Sequence, residues 1–169
     1  MSRIPDAELP AAEGSTGIYN NLHRALANNL ALEKLFGDVG RAVHIASHLP
    51  TRTRELAILG LLVMLREEAG WAQHFQIAQV LGVSAEEARA VRDRKLGGFS
   101  ASEQAAILFT EAVDQCRVTD DLWADTARHF NDVQMLDLVM LAGFYGYSAR
   151  VTLALGVEID EGLTGIDES

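Results

Sequence analysis

The chain has 169 residues, 49% of them hydrophobic and only three of them proline, which suits one domain with a sizeable core and excludes a disordered segment. Its 14 basic and 24 acidic residues leave a net charge of −10, which argues against nucleic acid or a membrane surface as partner, since both reward basic patches. One cysteine, Cys116, excludes an intramolecular disulfide and any CxxC redox or zinc motif. The opening MSRIPDAELPAAEG is polar and acidic, unlike a signal peptide. The longest apolar run, LAILGLLVML at 56–65, is about half a membrane span. A cytoplasmic location is expected.

In chain order, residues 1–16 read as an irregular arm. Ile18, Leu22, Ala25 and Leu26 recur at helical spacing over 17–28, and a second helix runs from about Ala31 to His48, closed by Pro50. Thr51 or Thr53 can cap an apolar helix reaching about Glu67, and 71–81 forms the next, with Gly82 just past its end. Ser84 with Glu87, and Ser100 with Glu103, are capping boxes; the second opens a helix to about Cys116. Thr119 caps 120–130, and Asn131 with Gln134 opens a last helix ending near Gly156. No strand alternation or hairpin signal persists. The expected fold is all-α, about seven helices in one domain over 17–157, followed by an acidic tail at 158–169.

Two helices are too apolar for the surface of a monomer. Residues 56–65 have no polar face, and 138–149 carry no charge. Both must lie centrally or be covered by another subunit, so a homo-oligomer is expected.

The helix 71–81 places Gln73, Gln76 and Gln79 on one face and Trp71, Phe75, Ile77, Ala78 and Leu81 on the other. His74 falls among the apolar residues. A buried histidine there is either a hydrogen-bonded core residue or a site residue. His44 and His48, at i and i+4, could share a metal ion with a third ligand such as Glu55, but no carboxylate stands between them and no metal is expected.

HLPTRTRELAILGLLVMLREEAGWAQHFQIAQVLGVSAEEARAVR (48–92) and LVMLAGFYGYSARVTLALGVEID (138–160) resemble the carboxymuconolactone decarboxylase family, which includes AhpD-like proteins. The resemblance implies a helical trimer or hexamer. AhpD-like members carry Cys-x-x-Cys ahead of a histidine, with a glutamate further upstream. On this chain the histidine is His74 and the glutamate Glu55, while Glu67 and Gly70 stand at the two thiol positions. Thiol–disulfide chemistry needs both sulfurs, so the resemblance implies no thiol-dependent peroxidase partner. Ala69 and Gly70 also replace the middle of the family's Glu-Tyr-Glu-Trp turn.

What the resemblance implies is a cofactor-independent lyase, removing carbon dioxide from a small carboxylated or enolisable substrate such as an unsaturated lactone. Such a reaction needs a cation or donor near the developing oxyanion and an acid near carbon. Histidine titrates closest to neutrality, which suits His74 as the acid, with Glu55 and Glu68 supporting it. Arg52, Arg54 and Arg150 are candidates for a substrate carboxylate, Trp71 for the pocket wall, and Glu67 and Tyr145 for further contacts. If 53–67 and 70–81 form a simple hairpin, Glu55 faces residue 81, about 10 Å along the axis from His74, and no direct bond follows from spacing. The alternative is a non-catalytic binding or assembly protein in which His74 is structural.

Overall fold

The structure, a computed structural model, describes residues 2–7 and 20–167. Those residues hold eight α-helices and no strand: α1 Asn21–Leu26, α2 Leu30–Ile45, α3 Thr51–Leu65, α4 Glu68–Val80, α5 Ala85–Arg92, α6 Ala101–Asp114, α7 Asp120–Thr126 and α8 Asp132–Leu155. Short 3-10 turns occupy 27–29 and 96–98. The all-α expectation holds.

Capping residues place most helix starts. Ser84, Ser100 and Asn131 each accept the N–H three residues on, and Glu87, Glu103 and Gln134 return a bond to the cap. Thr119 accepts from Leu122 N. Three boundaries differ from the sequence reading. Helix α2 stops at Ile45, three residues early, and the His48 N–H instead donates to Asp137 Oδ2 at 2.6 Å. Pro50 rather than a threonine occupies the N-cap of α3. Helix α4 opens at Glu68 because the Glu67 side chain caps it.

Helix α3 is the axis of the domain, packed against α4, α5, α6 and α8. Thr53 to Leu62 are all buried, so its lack of a polar face is satisfied within one chain. Each fully buried leucine or isoleucine there contributes about 1.5–3 kcal/mol of transfer free energy. A Cβ on Gly60 would lie 2.7 Å from Ile107 Cγ2, so glycine sets how closely α3 and α6 approach.

Helix α8 differs. It is long and apolar enough to cross a bilayer by length and composition, but Leu138, Leu141, Ala142, Tyr145 and Ala149 pack into the core. Its opposite face leaves Leu136, Met140 and Tyr147 exposed beside Leu32, Leu35 and Val39 of α2.

Part of the expected arm, and residues 17–19 of the first expected helix, lie outside the described residues. Arg3 donates from its backbone to Leu155 O and from its guanidinium to Ala154 O. The segment expected as an acidic tail lies against the domain. Asp160 accepts from Asn21 N and Gln73 Nε2, both at 2.7 Å, and the buried Ile166 donates its N–H to Glu68 Oε2.

Candidate active site

Helices α2, α4 and α8 and residues 157–160 enclose a cavity of about 180 Å³. His44, His74, Tyr145, Gln73 and Glu67 line it, and Glu55 of α3 lies behind them, fully buried.

Glu55 organises the group. Its Oε2 lies 2.8 Å from His74 Nδ1, and its Oε1 accepts from Arg54 Nε at 3.1 Å. His44 Nδ1 approaches that same oxygen at 3.9 Å. Burial alone would raise the Glu55 carboxyl pKa; the His74 hydrogen bond and the charges of His74, His44 and Arg54 outweigh it and hold the pKa below the ordinary value. Glu55 is therefore a carboxylate, and His74 Nδ1 is the donor to it. His74 Nε2 then has no hydrogen-bond partner among the described residues and lies in the cavity wall.

Glu55 and His74 meet directly, which corrects the hairpin estimate. The α3–α4 turn consists of Arg66 and Glu67 alone, with Arg66 in the left-handed conformation at φ 54°. So tight a turn sets Glu55 opposite residue 78 rather than 81. The remaining offset is four residues, about 6 Å at 1.5 Å per residue, which two side chains span.

His44 and Tyr145 form the second half of the site. Burial, reinforced by the His74 charge, pushes the His44 pKa down to about 4, so its ring is neutral at pH 7. Burial and then the Glu55 charge push the Tyr145 hydroxyl well above 10, so it keeps its proton. Tyr145 O–H donates to His44 Nε2 across 2.5 Å. The two imidazoles stack with centroids 5.5 Å apart, and the Tyr145 ring meets His74 edge-on at 4.9 Å. Sequence reasoning weighed His44 only as a metal ligand beside His48. The signal for its place here is the helical register Gly37, Gly40, Arg41, His44, four residues of α2 that all face the cavity.

His44, Glu55 and His74 offer donor atoms within 4.8 Å of one another, a set that a divalent ion can use by donor type. Arg54 already supplies the counter-charge of the single carboxylate, so a dication would compete with a buried guanidinium. His48 is not part of the set; it is exposed and pairs with Asp137.

The other expected site residues are placed as follows. Glu67 lines the cavity but both its oxygens accept α4 backbone N–H groups, from Ala69 and Gly70 at 2.9 Å. Its pKa is raised by burial against those two bonds. Trp71 is fully buried in the core, stacked on Phe75, and is not in the cavity wall. Glu68 holds the C-terminal segment through Ile166. Arg52 is clasped by Glu87, Glu103 and Gly82 O, and Arg150 by Asp114 and Gly146 O. Arg54 is buried beneath Glu55 and donates to His44 O at 2.9 Å, which fixes the loop end of α2 over the site. None of these three arginines lines the cavity.

Residues 31–112 match the sequence model of the Carboxymuconolactone decarboxylase family. Over that stretch, nearly half of its length, the chain resembles the carboxymuconolactone decarboxylase family. The match spans α2 to α6 and so includes His44, Glu55 and His74, while Tyr145 lies beyond it on α8. Among solved structures, the chain is similar to the alkylhydroperoxidase AhpD core of a peroxidase-related protein from Ralstonia eutropha JMP134, with 19% identity, 95% and 93% of the two chains covered and a TM-score of 0.83. A peroxidase-related protein from Silicibacter sp. TM1040 gives 16% identity, 86% and 79% coverage and a TM-score of 0.79. The debrominase Bmp8 in complex with 2,3,4-tribromopyrrole gives 16% identity, 84% and 78% coverage and a TM-score of 0.75. At these identities the likeness is one of fold. No curated protein matches the sequence.

Proposed function

We propose that this chain is a carboxymuconolactone decarboxylase-like, cofactor-independent acid–base enzyme of the lyase type. Its substrate is a small carboxylated or enolisable molecule, such as an unsaturated lactone acid. The observation that carries the reading is the buried Glu55–His74 pair with Nε2 of His74 left free at the wall of a partly open cavity. Glu55 stabilises the imidazolium, and that imidazolium is the proton source. In a decarboxylation, the bond from carbon to the carboxylate breaks and its electron pair enters the conjugated lactone as a dienolate. Carbon dioxide leaves, and His74 Nε2–H delivers one proton to carbon; solvent then restores it. Substrate carboxylate and one proton become carbon dioxide and a new C–H bond.

The family name supports the lyase class, and the cavity supports the size. A cavity of about 150 Å³ accepts a benzene-sized ring, and the similar Bmp8 is described with a brominated pyrrole. The thiol-dependent alternative finds no support in the residues present. Glu67 caps a helix where one thiol would stand, and Cys116 is exposed after α6.

The same reading includes assembly. The exposed stripe of Leu136, Met140 and Tyr147 with Leu32, Leu35 and Val39 is large and apolar for a free surface, and further copies of this chain, three or six in all, would cover it.

The deciding experiment measures carbon dioxide release from carboxymuconolactone and from related lactone acids. His74→Gln should keep the fold while turnover falls about 10²–10⁴-fold, the usual contribution of a general acid. Equal rates per folded molecule in the two proteins would remove His74 from the chemistry and favour a binding protein.

A further inference from the structure

The three arginines that the sequence offered for a substrate carboxylate are all occupied elsewhere, which leaves the cavity in need of a counter-ion for an anionic substrate. We infer that Arg41 is that residue, and that the cavity takes a small ring-sized acid, with a carboxylate that is not lost in the reaction held on Arg41 and its reacting carbon towards His74. The inference rests on the acid–base reading of the same cavity.

Arg41 is the one arginine or lysine among the described residues that line the cavity. It stands three residues before His44 on α2, so the two share a helix face with Cβ atoms about 5–6 Å apart. Its guanidinium makes no hydrogen bond or ion pair among the described residues, its charge only helping Lys34 to lower the pKa of Asp38, whereas Arg54 beneath the site is bonded to Glu55. The neighbouring acid Asp38 is already bonded to Lys34 Nζ at 2.6 Å.

The negative charges around the cavity are, by contrast, engaged. Glu67 accepts two backbone N–H groups, Asp160 accepts from Asn21 N and Gln73 Nε2, and Glu158 is not free. An entering carboxylate therefore meets, among the described residues, one arginine without a bonded partner at the mouth. Deeper in it meets the two histidines and the tyrosine. The planar fork of a guanidinium matches a carboxylate in bidentate fashion, which fixes the rest of the ring in one direction. A cavity of this size leaves room for little beyond that ring.

The test uses benzoate as probe and benzyl alcohol as its uncharged counterpart, with binding followed by titration calorimetry and by the imidazole NMR signals of His44 and His74. Benzoate should bind the unaltered protein, move both histidine signals, and bind more weakly as salt is added. Arg41→Gln should weaken benzoate about tenfold, Arg41→Lys distinctly less, and neither should change benzyl alcohol. Arg41 is exposed, so both variants should melt as the parent does. Benzoate affinity unchanged in Arg41→Gln, benzyl alcohol bound as tightly as benzoate, or no benzoate binding would each overturn the inference. His74→Gln separates the two claims. If it retains both benzoate binding and turnover, the acid–base reading fails while the anion anchor stands.

Discussion

Glu55 Oε2 and His74 Nδ1 lie 2.8 Å apart with Arg54 Nε on the other carboxylate oxygen, so one buried carboxylate is shared by an imidazole and a guanidinium. Removing its charge should act twice. Glu55→Gln keeps the size of the side chain and can still accept a hydrogen bond, but it leaves Arg54 buried without a counter-charge. The expected cost is about 3 kcal/mol of unfolding free energy, read from a denaturant melt. Carbon dioxide release per folded molecule should also fall, because the imidazolium loses its partner. A variant as stable and as active as the parent would mean that Glu55 serves neither role.

The pH dependence of stability has a definite sign. His44 is neutral in the folded protein down to about pH 4 but protonates near 6.5 when unfolded, so the unfolded chain binds more protons in between. Stability should therefore be lost as pH falls from 6.5 towards 4, by about 2 kcal/mol at pH 4.5 from this group alone. Glu55, with its pKa lowered, acts in the same direction at more acid pH; Glu67, with its pKa raised, opposes weakly. His44→Gln should flatten the fall between pH 6.5 and 4.5. A His44 NMR titration midpoint at 6 or above would contradict the buried, neutral ring.

Gly70 offers a test in which two rules disagree. Helix propensity favours alanine over glycine by about 1 kcal/mol. A Cβ at this position would lie 2.2 Å from Glu67 Oε2 and 3.2 Å from Leu62 Cδ2. Glu67 cannot swing away without releasing the α4 cap, which costs about 0.5–2 kcal/mol. Gly70→Ala should therefore destabilise, by about 1–2 kcal/mol net, with the melting temperature as readout. A stabilised variant would show that Glu67 does not hold the start of α4.

The apolar stripe on α2 and α8 predicts the assembly. Light scattering at micromolar concentration should give a multiple of the chain mass, three or six. Met140→Asp should lower that number without unfolding the chain, since Met140 is 51% exposed in the single chain. A monomer for the unaltered protein would leave the stripe unexplained.

Much of this was legible in the residues, and the reasons for the rest are specific. Local chemistry announced the caps at Ser84, Ser100, Thr119 and Asn131, because each acts on an N–H within three residues. The α4 start was missed because glutamate is not among the preferred N-cap residues. His74 stood out by its place on an apolar face, and Glu55 by resemblance. Tyr145 was named as a candidate, but its bond to His44, the place of Arg41 and the occupation of Arg52, Arg54 and Arg150 depend on which helices meet, and Arg52 finds Glu87 and Glu103 35 and 51 residues away. Nothing in the local pattern of an arginine tells a clasp from an anchor.

Asp160 joins the backbone of Asn21 to the side chain of Gln73, so it ties the first described helix to α4 from a position 139 residues beyond the former. During synthesis on the ribosome, α2, α3 and α4 emerge and can pack long before that carboxylate exists. Val157, Glu158 and Asp160 line the cavity, so until they are made that side of it has no wall. The wall around His74 is thus complete only in a chain translated past residue 160, and a shorter nascent fragment carries the histidine without that wall.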